Sequence, residues 1–366
     1  MALPRLFTRR LLSPGDVPPS GERFRVCGVL NPAVTEHRGR TVVIARVAEE
    51  PTEHRPGSCA SPRVDAEAGR VVDYLPADRC NADDPRVYAV GPDRLLRLRF
   101  ISHLRVMTAD DPYRLDPADA VIIEPEGEYE EYGIEDPRVT RIGSTYYITY
   151  VAVSRHGVAT ALMSTTDFES FARHGIIFCP DNKDVLLLPE KIAGSYVAIH
   201  RPMHKMPFCP PQMWLARSLD LLHWGAHEPL FGGGRVVGVP QDTPEGDDAH
   251  ADRVGGSTPP IATDAGWLTL YHGSERPADG RTVGRYTAGA LLLDRQNPSR
   301  ILARSREPIL VPEADFETAG YVDQVIFPTA LIDRDDRYEV YYGAADQYVG
   351  VCGLEKRAVT ESLHPA

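Results

Sequence analysis

A short pattern of apolar and polar positions recurs along the chain: a turn residue, then alternating aromatic and β-branched side chains. It occupies Gly39–Arg46, Leu95–Ile101, Gly143–Tyr150, Gly194–His200, Gly266–His272 and Asp336–Tyr342. Period-two alternation puts successive side chains on opposite faces and predicts strands. Strong helical periodicity is scarce. The copies follow one another at roughly 50 to 70 residues, the spacing of a β-propeller blade with insertions. Between them, Ser164–Phe168 and Ser218–Trp224 read as polar turns with an aromatic anchor that open second strands of blade hairpins. The expected fold is all-β: one domain over residues 1–366, a five-bladed β-propeller. The N- and C-terminal segments close its ring in a shared blade, which accounts for the sixth copy. A β-sandwich is the alternative, but its strands are spaced more tightly. Pro51–Ala68, polar and proline-rich, and Gly232–Asp252, glycine-rich then acidic, read as surface loops.

Composition narrows the partners. The 366 residues suffice for a sizeable core. A net charge of −12 argues against nucleic acid or an anionic membrane as a bulk partner, while leaving room for a local basic pocket. No apolar run approaches the length of a membrane span. Met1–Arg10 has no apolar secretory core, so the expected location is cytoplasmic. The six cysteines (Cys27, Cys59, Cys80, Cys179, Cys209, Cys352) are scattered without a CxxC pair. That argues against a disulfide framework or a structural zinc and for buried thiols.

The candidate chemistry centres on Glu131–Thr140, where Glu135 and Asp136 precede Pro137 and Arg138. Pro137 pushes Asp136 towards an extended conformation, in a loop entering a strand. The plain reading is a turn in which Asp136 caps backbone amides and Arg138 pairs with Glu135. If the repeated strands are the inner ones, their polar ends meet in a central funnel. Those ends are Arg46, Ser102-His103-Leu104-Arg105, Asp136, His200-Arg201, Tyr271-His272 and Asp346. In an acidic chain this set describes an anion pocket beside a carboxylic acid. Lys183 and Lys191 are further candidate cations, although Lys191 could simply pair with Glu190. Trp214 and Trp267 read as blade core. Glycine-rich phosphate loops, HExxH and GxSxG are absent, which removes nucleotide hydrolysis, zinc peptidase and serine hydrolase chemistry.

Tyr132–Arg138 strongly resembles the signature of glycoside hydrolase family 130, the β-mannoside phosphorylases. Asp181–Asp184, Leu188–Ile192, His200–Pro202, Thr258–Ile261, Tyr271–Gly273 and Tyr341–Asp346 follow in the family's order. Upstream, Leu30–Pro32, Arg46–Glu49 and Ile101–Arg105 also fit, so the resemblance spans essentially the whole chain. It implies a five-bladed propeller and inverting phosphorolysis of β-1,2- or β-1,4-linked mannosides to α-mannose 1-phosphate. Inorganic phosphate is then a co-substrate, with no cofactor and no metal. The resemblance makes Asp136 the general acid and puts phosphate on Arg201, Lys191, Tyr271, His272 and Lys183. It places Asn31, Arg46, Ser102, His103, Arg105 and Asp346 around the mannosyl ring. Inverting chemistry needs an acid on the leaving oxygen and a nucleophile on the opposite face. Phosphate is already anionic, so cations take the place of a base. The expected partners are an oligosaccharide and inorganic phosphate, with a homo-oligomer left open. The alternative within the family is a β-1,2-mannosidase, for which Glu275 is the candidate base. A non-catalytic sugar-binding propeller is less favoured, because the acid and the cation set are both intact.

Overall fold

Alternating apolar positions become strands throughout. The computed structural model describes residues 2–203, 211–232, 251–275 and 283–366. Apart from short helical turns, of which Lys356–Glu361 is the longest described, its secondary structure is β. The strands fall into five successive units. The first contains Phe24–His37, Arg40–Pro51 and Ile101–Ala109 with the edge piece Val121–Ile123, and the second contains Gly133–Ile142, Thr145–Ser154, Gly157–Thr165 and Ala172–Phe178. A single parallel pairing, Gly133 with Ser102, joins these two into one eight-stranded sheet. The third unit is Asn182–Leu187, Tyr196–Pro202, Gln212–Ser218 and Trp224–Gly232. The fourth runs Ala251–Gly256, Gly266–Glu275, Tyr286–Leu293 and Ile301–Ser305, with Leu363–Pro365 at its edge. The fifth is Ile326–Asp333, Arg337–Ala344 and Tyr348–Glu355, and the N-terminal strand Arg5–Leu12 pairs antiparallel with the last of these.

An apolar layer fills each junction between neighbouring units. Ile44 and Leu104 of the first unit meet Ile148 and Tyr150 of the second. Leu162 and Phe178 meet Val185 and Ala198 of the third. Val197 and Ile199 meet Trp267 and Leu291 of the fourth. Leu270 and Ala290 meet Val340 and Tyr342 of the fifth, whose Tyr341 and Val351 return to Val29 and Val43 of the first. Both faces of each sheet are therefore covered, which buries the middle strands on either side.

That burial explains which strands the sequence pattern picks out. The repeated pattern marks the second strand of each unit, not the first. Second strands pair on both edges without long interruption, so their alternation is clean. First strands carry bulges that break the period. The copy at Leu95–Ile101 is no unit strand: Leu95–Leu98 belongs to a small sheet with Cys80–Asn81 and Val87–Val90. Pro51–Ala68 is not a loop either, because Ser58–Asp65 pairs with Gly69–Pro76 in a hairpin. The Ser164–Phe168 and Ser218–Trp224 turns connect third to fourth strands instead of opening second ones. In each, a turn hydroxyl accepts from the backbone N–H three residues on (Thr165 from Phe168, Ser218 from Leu221). Residues 233–250 of the expected second loop lie outside the described residues. Of the cysteines described, Cys27 and Cys352 are buried, whereas Cys59, Cys80 and Cys179 are partly or fully exposed. No helix among the described residues is long and apolar enough to cross a membrane.

The N-terminal strand is fastened by a buried charge. Arg5 Nη1 donates to Glu317 Oε1 at 2.6 Å, and the Tyr342 hydroxyl donates to the same oxygen at 2.6 Å. Glu317 has 0% exposure. Removing one member of a buried pair strands the other. Glu317→Ala is expected to lower the unfolding free energy by about 3–5 kcal/mol, read from urea melts. An unchanged midpoint would show that the Arg5 fastening carries no stability.

Candidate active site

Three first strands share one device. In each, two residues stand opposite one on the neighbouring strand, and the extra residue has a positive φ. They are Asn31 (φ 47°) between the pairs Leu30–Arg46 and Ala33–Ile44, Asp136 (φ 49°) between Glu135–Val151 and Arg138–Thr149, and Asp184 (φ 57°) between Lys183–Arg201 and Leu186–Ile199. Such bulges re-aim a side chain at the rim of a sheet, and Asn and Asp tolerate the left-handed region better than most residues. Prolines follow Asn31 and Asp136 and have no N–H to lose from the ladder. Asp136 is therefore left-handed, not extended as Pro137 alone suggested. All three side chains line one cavity of 420 Å³.

At one part of this cavity Arg46 bridges two carboxylates. Its Nη1 donates to Asp136 Oδ1 at 2.9 Å and its Nη2 to Glu135 Oε1 at 2.7 Å, while Nε is fixed by Ser102 Oγ at 3.1 Å. Asn31 Nδ2 also donates to Asp136 Oδ1, at 2.7 Å. Arg46, not Arg138, is thus the partner of Glu135. Arg138 lies behind the bulge and ties it down, donating from Nε to the Ser257 carbonyl at 2.6 Å and from Nη1 to the Asp136 and Pro137 carbonyls.

The two carboxyls part company in proton affinity. Burial works to raise Asp136, but Arg46, Arg138, the Asn31 hydrogen bond and Lys183 outweigh it and hold the group below its ordinary value. For Glu135 burial prevails over Arg46, and its pKa is raised. Asp346, a further cavity carboxyl, is also raised by burial, with Arg86 and Arg46 opposing.

The third and fourth units bring cations to the same cavity. Arg201 Nε donates to Asp184 Oδ2 at 2.7 Å, and among the described residues its two terminal nitrogens have no hydrogen-bond partner. Lys183 lines the cavity without an ion pair among those residues, and burial, then Arg201, lowers its pKa. The His272 Nε2 stands 3.6 Å from Asp184 Oδ2 and its Nδ1 3.1 Å from Ser257 Oγ. Burial pushes His272 down to about 3, so the ring is neutral at ordinary pH.

The cavity therefore unites Asp136, Asn31, Arg46, Lys183, Arg201, His272 and Asp346. Five expected site residues lie elsewhere. Lys191 sits on an exposed turn with Nζ 4.3 Å from the centre of the Tyr196 ring. Tyr271 is fully buried in the core, its ring 4.7 Å from that of Phe231. Side chains alternate along a strand, so His103 and Arg105 face away from Arg46. There Arg105 donates to His103 Nε2 at 3.1 Å and to the Pro18 carbonyl at 2.6 Å. Ser102 has 0% exposure and accepts from Arg46 Nε behind the cavity.

Other cavity residues were missed. Asp84 and Arg86 reach in from the small inserted sheet, where Asp84 grips Arg86 through Nε at 3.0 Å and Nη2 at 2.8 Å. No local signal in the sequence points to them. Asp184, which the sequence offers beside Lys183 in the Asn182–Asp184 group, shares the first-strand position of Asn31 and Asp136.

Residues 99–364 match the family described as beta-1,4-mannooligosaccharide phosphorylase. The chain belongs to glycoside hydrolase family 130. Within that family it is 37% identical over 359 residues to the beta-1,2-mannobiose phosphorylase of Listeria innocua, covering 97% of this chain and 95% of the relative. It is 34% identical over 264 residues to a 1,2-beta-oligomannan phosphorylase of Thermoanaerobacter, covering 71% and 81%. The Listeria innocua enzyme solved with beta-1,2-mannobiose superimposes with a TM-score of 0.86 at 35% identity, over 97% of this chain and 98% of that one.

Proposed function

We propose that residues 1–366 form one five-bladed β-propeller that cleaves β-mannosides with inorganic phosphate, inverting at the anomeric carbon to give α-mannose 1-phosphate. Five strand units with an apolar layer at every junction, the last returning to the first, support the propeller. The observation that supports the chemistry is an acid cluster facing cations that, among the described residues, keep donors to offer: Asp136 from the second unit, and Lys183 and the terminal nitrogens of Arg201 from the third. Phosphate is a nucleophile that needs charge neutralisation, not deprotonation, and the guanidinium fork suits it. Asp184, the carboxylate beside those cations, makes a poor base for water because Arg201 and its neighbours hold it deeply ionised.

Without ligand Asp136 is held ionised, yet a general acid must carry a proton. Phosphate resolves this. Its negative charge at Lys183 and Arg201 cancels part of the cationic field that depresses Asp136, and the sugar excludes water from it. Both changes raise its proton affinity when protonation is needed. Asp136 then protonates the leaving oxygen while phosphate attacks the opposite face. Asn31, Arg46 and Asp346 hold the mannosyl ring. The β-1,2 linkage is favoured, because the two relatives above are named for it. The family's hydrolytic alternative needed a base at Glu275, whose side chain lies outside the described residues.

The reverse reaction tests the proposal. With α-mannose 1-phosphate and mannose the enzyme is expected to release phosphate and form a β-linked disaccharide. Hydrolysis of the sugar phosphate without disaccharide would count against it. Lys191→Ala should leave the KM for phosphate unchanged. A raised KM would return Lys191 to the site.

A further inference from the structure

The anion site contains a carboxylate, and we propose that it selects the protonation state of the anion: Asp184 accepts a hydrogen bond from the hydroxyl of hydrogen phosphate, so the site takes phosphate or arsenate and refuses sulfate. The inference rests on the phosphorolysis reading above and adds which anion the site admits.

Asp184 has 5% exposure and lines the cavity between Lys183 and Arg201. Its Oδ2 is committed to Arg201 Nε at 2.7 Å and faces His272 Nε2 at 3.6 Å. Among the described residues no donor reaches Oδ1. Burial works against its charge, but Arg201, with Lys183 and Arg138, holds the carboxyl far below the usual range. It therefore accepts hydrogen bonds and does not donate them.

The carboxylate is also built in. It sits on the left-handed bulge of its strand, and Gly255 leaves room for it. A Cβ at Gly255 would collide with Asp184 Oδ2 and stand 2.6 Å from His272 Cε1. Charge alone does not explain its presence, because a site that bound anions only through charge would be stronger without it. His272 is neutral and adds nothing to the positive side. A carboxylate inside an anion site repels any ligand oxygen that lacks a hydrogen, and bonds one that carries it. Hydrogen phosphate and hydrogen arsenate carry such a proton at neutral pH, and sulfate does not. The ions are otherwise alike in shape and charge, so the proton is what distinguishes them.

The test compares anions on the full-length enzyme at constant ionic strength. Arsenate is expected to replace phosphate and drive mannoside cleavage. The inhibition constant for sulfate should exceed the KM for phosphate by about 10- to 100-fold, the worth of one hydrogen bond to a charged group. In Asp184→Asn the amide can donate an N–H to sulfate, so sulfate inhibition should tighten by about 10-fold while the KM for phosphate rises. Wild-type enzyme that binds sulfate as tightly as phosphate overturns the inference. So does an Asp184→Asn enzyme that loses phosphate while still refusing sulfate, which would leave Asp184 only the task of orienting Arg201. Should Asp184→Asn fail to fold, the wild-type sulfate comparison decides alone. Should the wild type cleave mannosides without phosphate, phosphorolysis itself fails. Thermal stabilisation of the protein by phosphate against sulfate would then still decide the anion preference.

Discussion

Asp136→Asn is expected to lose phosphorolysis by about 10²–10⁴-fold, the usual contribution of a positioned general acid. Its thermal midpoint should stay close to that of the wild type. The reason lies in the geometry at Oδ1. Asn31 Nδ2 and Arg46 Nη1 both donate there, and an amide oxygen can accept both bonds. Arg46 keeps its ion pair with Glu135, so no buried charge is stranded. What is lost is the proton. Activity within a few-fold of wild type would remove Asp136 from the role of acid and turn attention to Glu135, the neighbour whose proton affinity is raised by burial.

Arg201→Ala is expected to raise the KM for phosphate by about 10- to 100-fold while changing the KM for the mannoside little. In the proposed mechanism phosphate sits on the two terminal nitrogens of Arg201, and the mannosyl ring is held by groups from other units. The substitution also strands Asp184, which is ionised and buried, so the protein should lose about 3–5 kcal/mol of stability. Initial rates across a matrix of phosphate and mannoside concentrations, with a urea melt alongside, check both. Equal rises in the two KM values would mean that Arg201 shapes the whole cavity and not the phosphate site.

Much of this was legible in the sequence because strand alternation and the Glu135–Arg138 motif are local features. Asp136, Arg46, Asn31, Arg201, Lys183, His272 and Asp346 meet as the order of motifs along the chain implied. Three of the five expected residues that lie outside the cavity share a cause. Reading the repeated strands as the innermost ones placed Tyr271, His103 and Arg105 at a funnel. In the structure the bulged first strands reach the cavity, and face alternation turns those three side chains into the sheets. Bulges are hard to see in advance because they erase the period that reveals a strand. Their trace here is small: a polar residue before proline at Asn31 and Asp136, and Asp184 without one. Lys191 was placed by its neighbours in the motif, yet its turn is exposed and its amine rests on Tyr196. Asp84 and Arg86 arrive by tertiary contact from an inserted sheet, and no spacing along the chain could have brought them in.

A ³¹P NMR time course on a β-1,2-linked mannobiose with inorganic phosphate, run beside a phosphate-free control, separates phosphorolysis from hydrolysis. Phosphorolysis predicts loss of the inorganic phosphate signal, growth of the α-mannose 1-phosphate signal in step with free mannose, and no cleavage in the control. Two molecules of mannose released per disaccharide, at the same rate with and without phosphate, would contradict it.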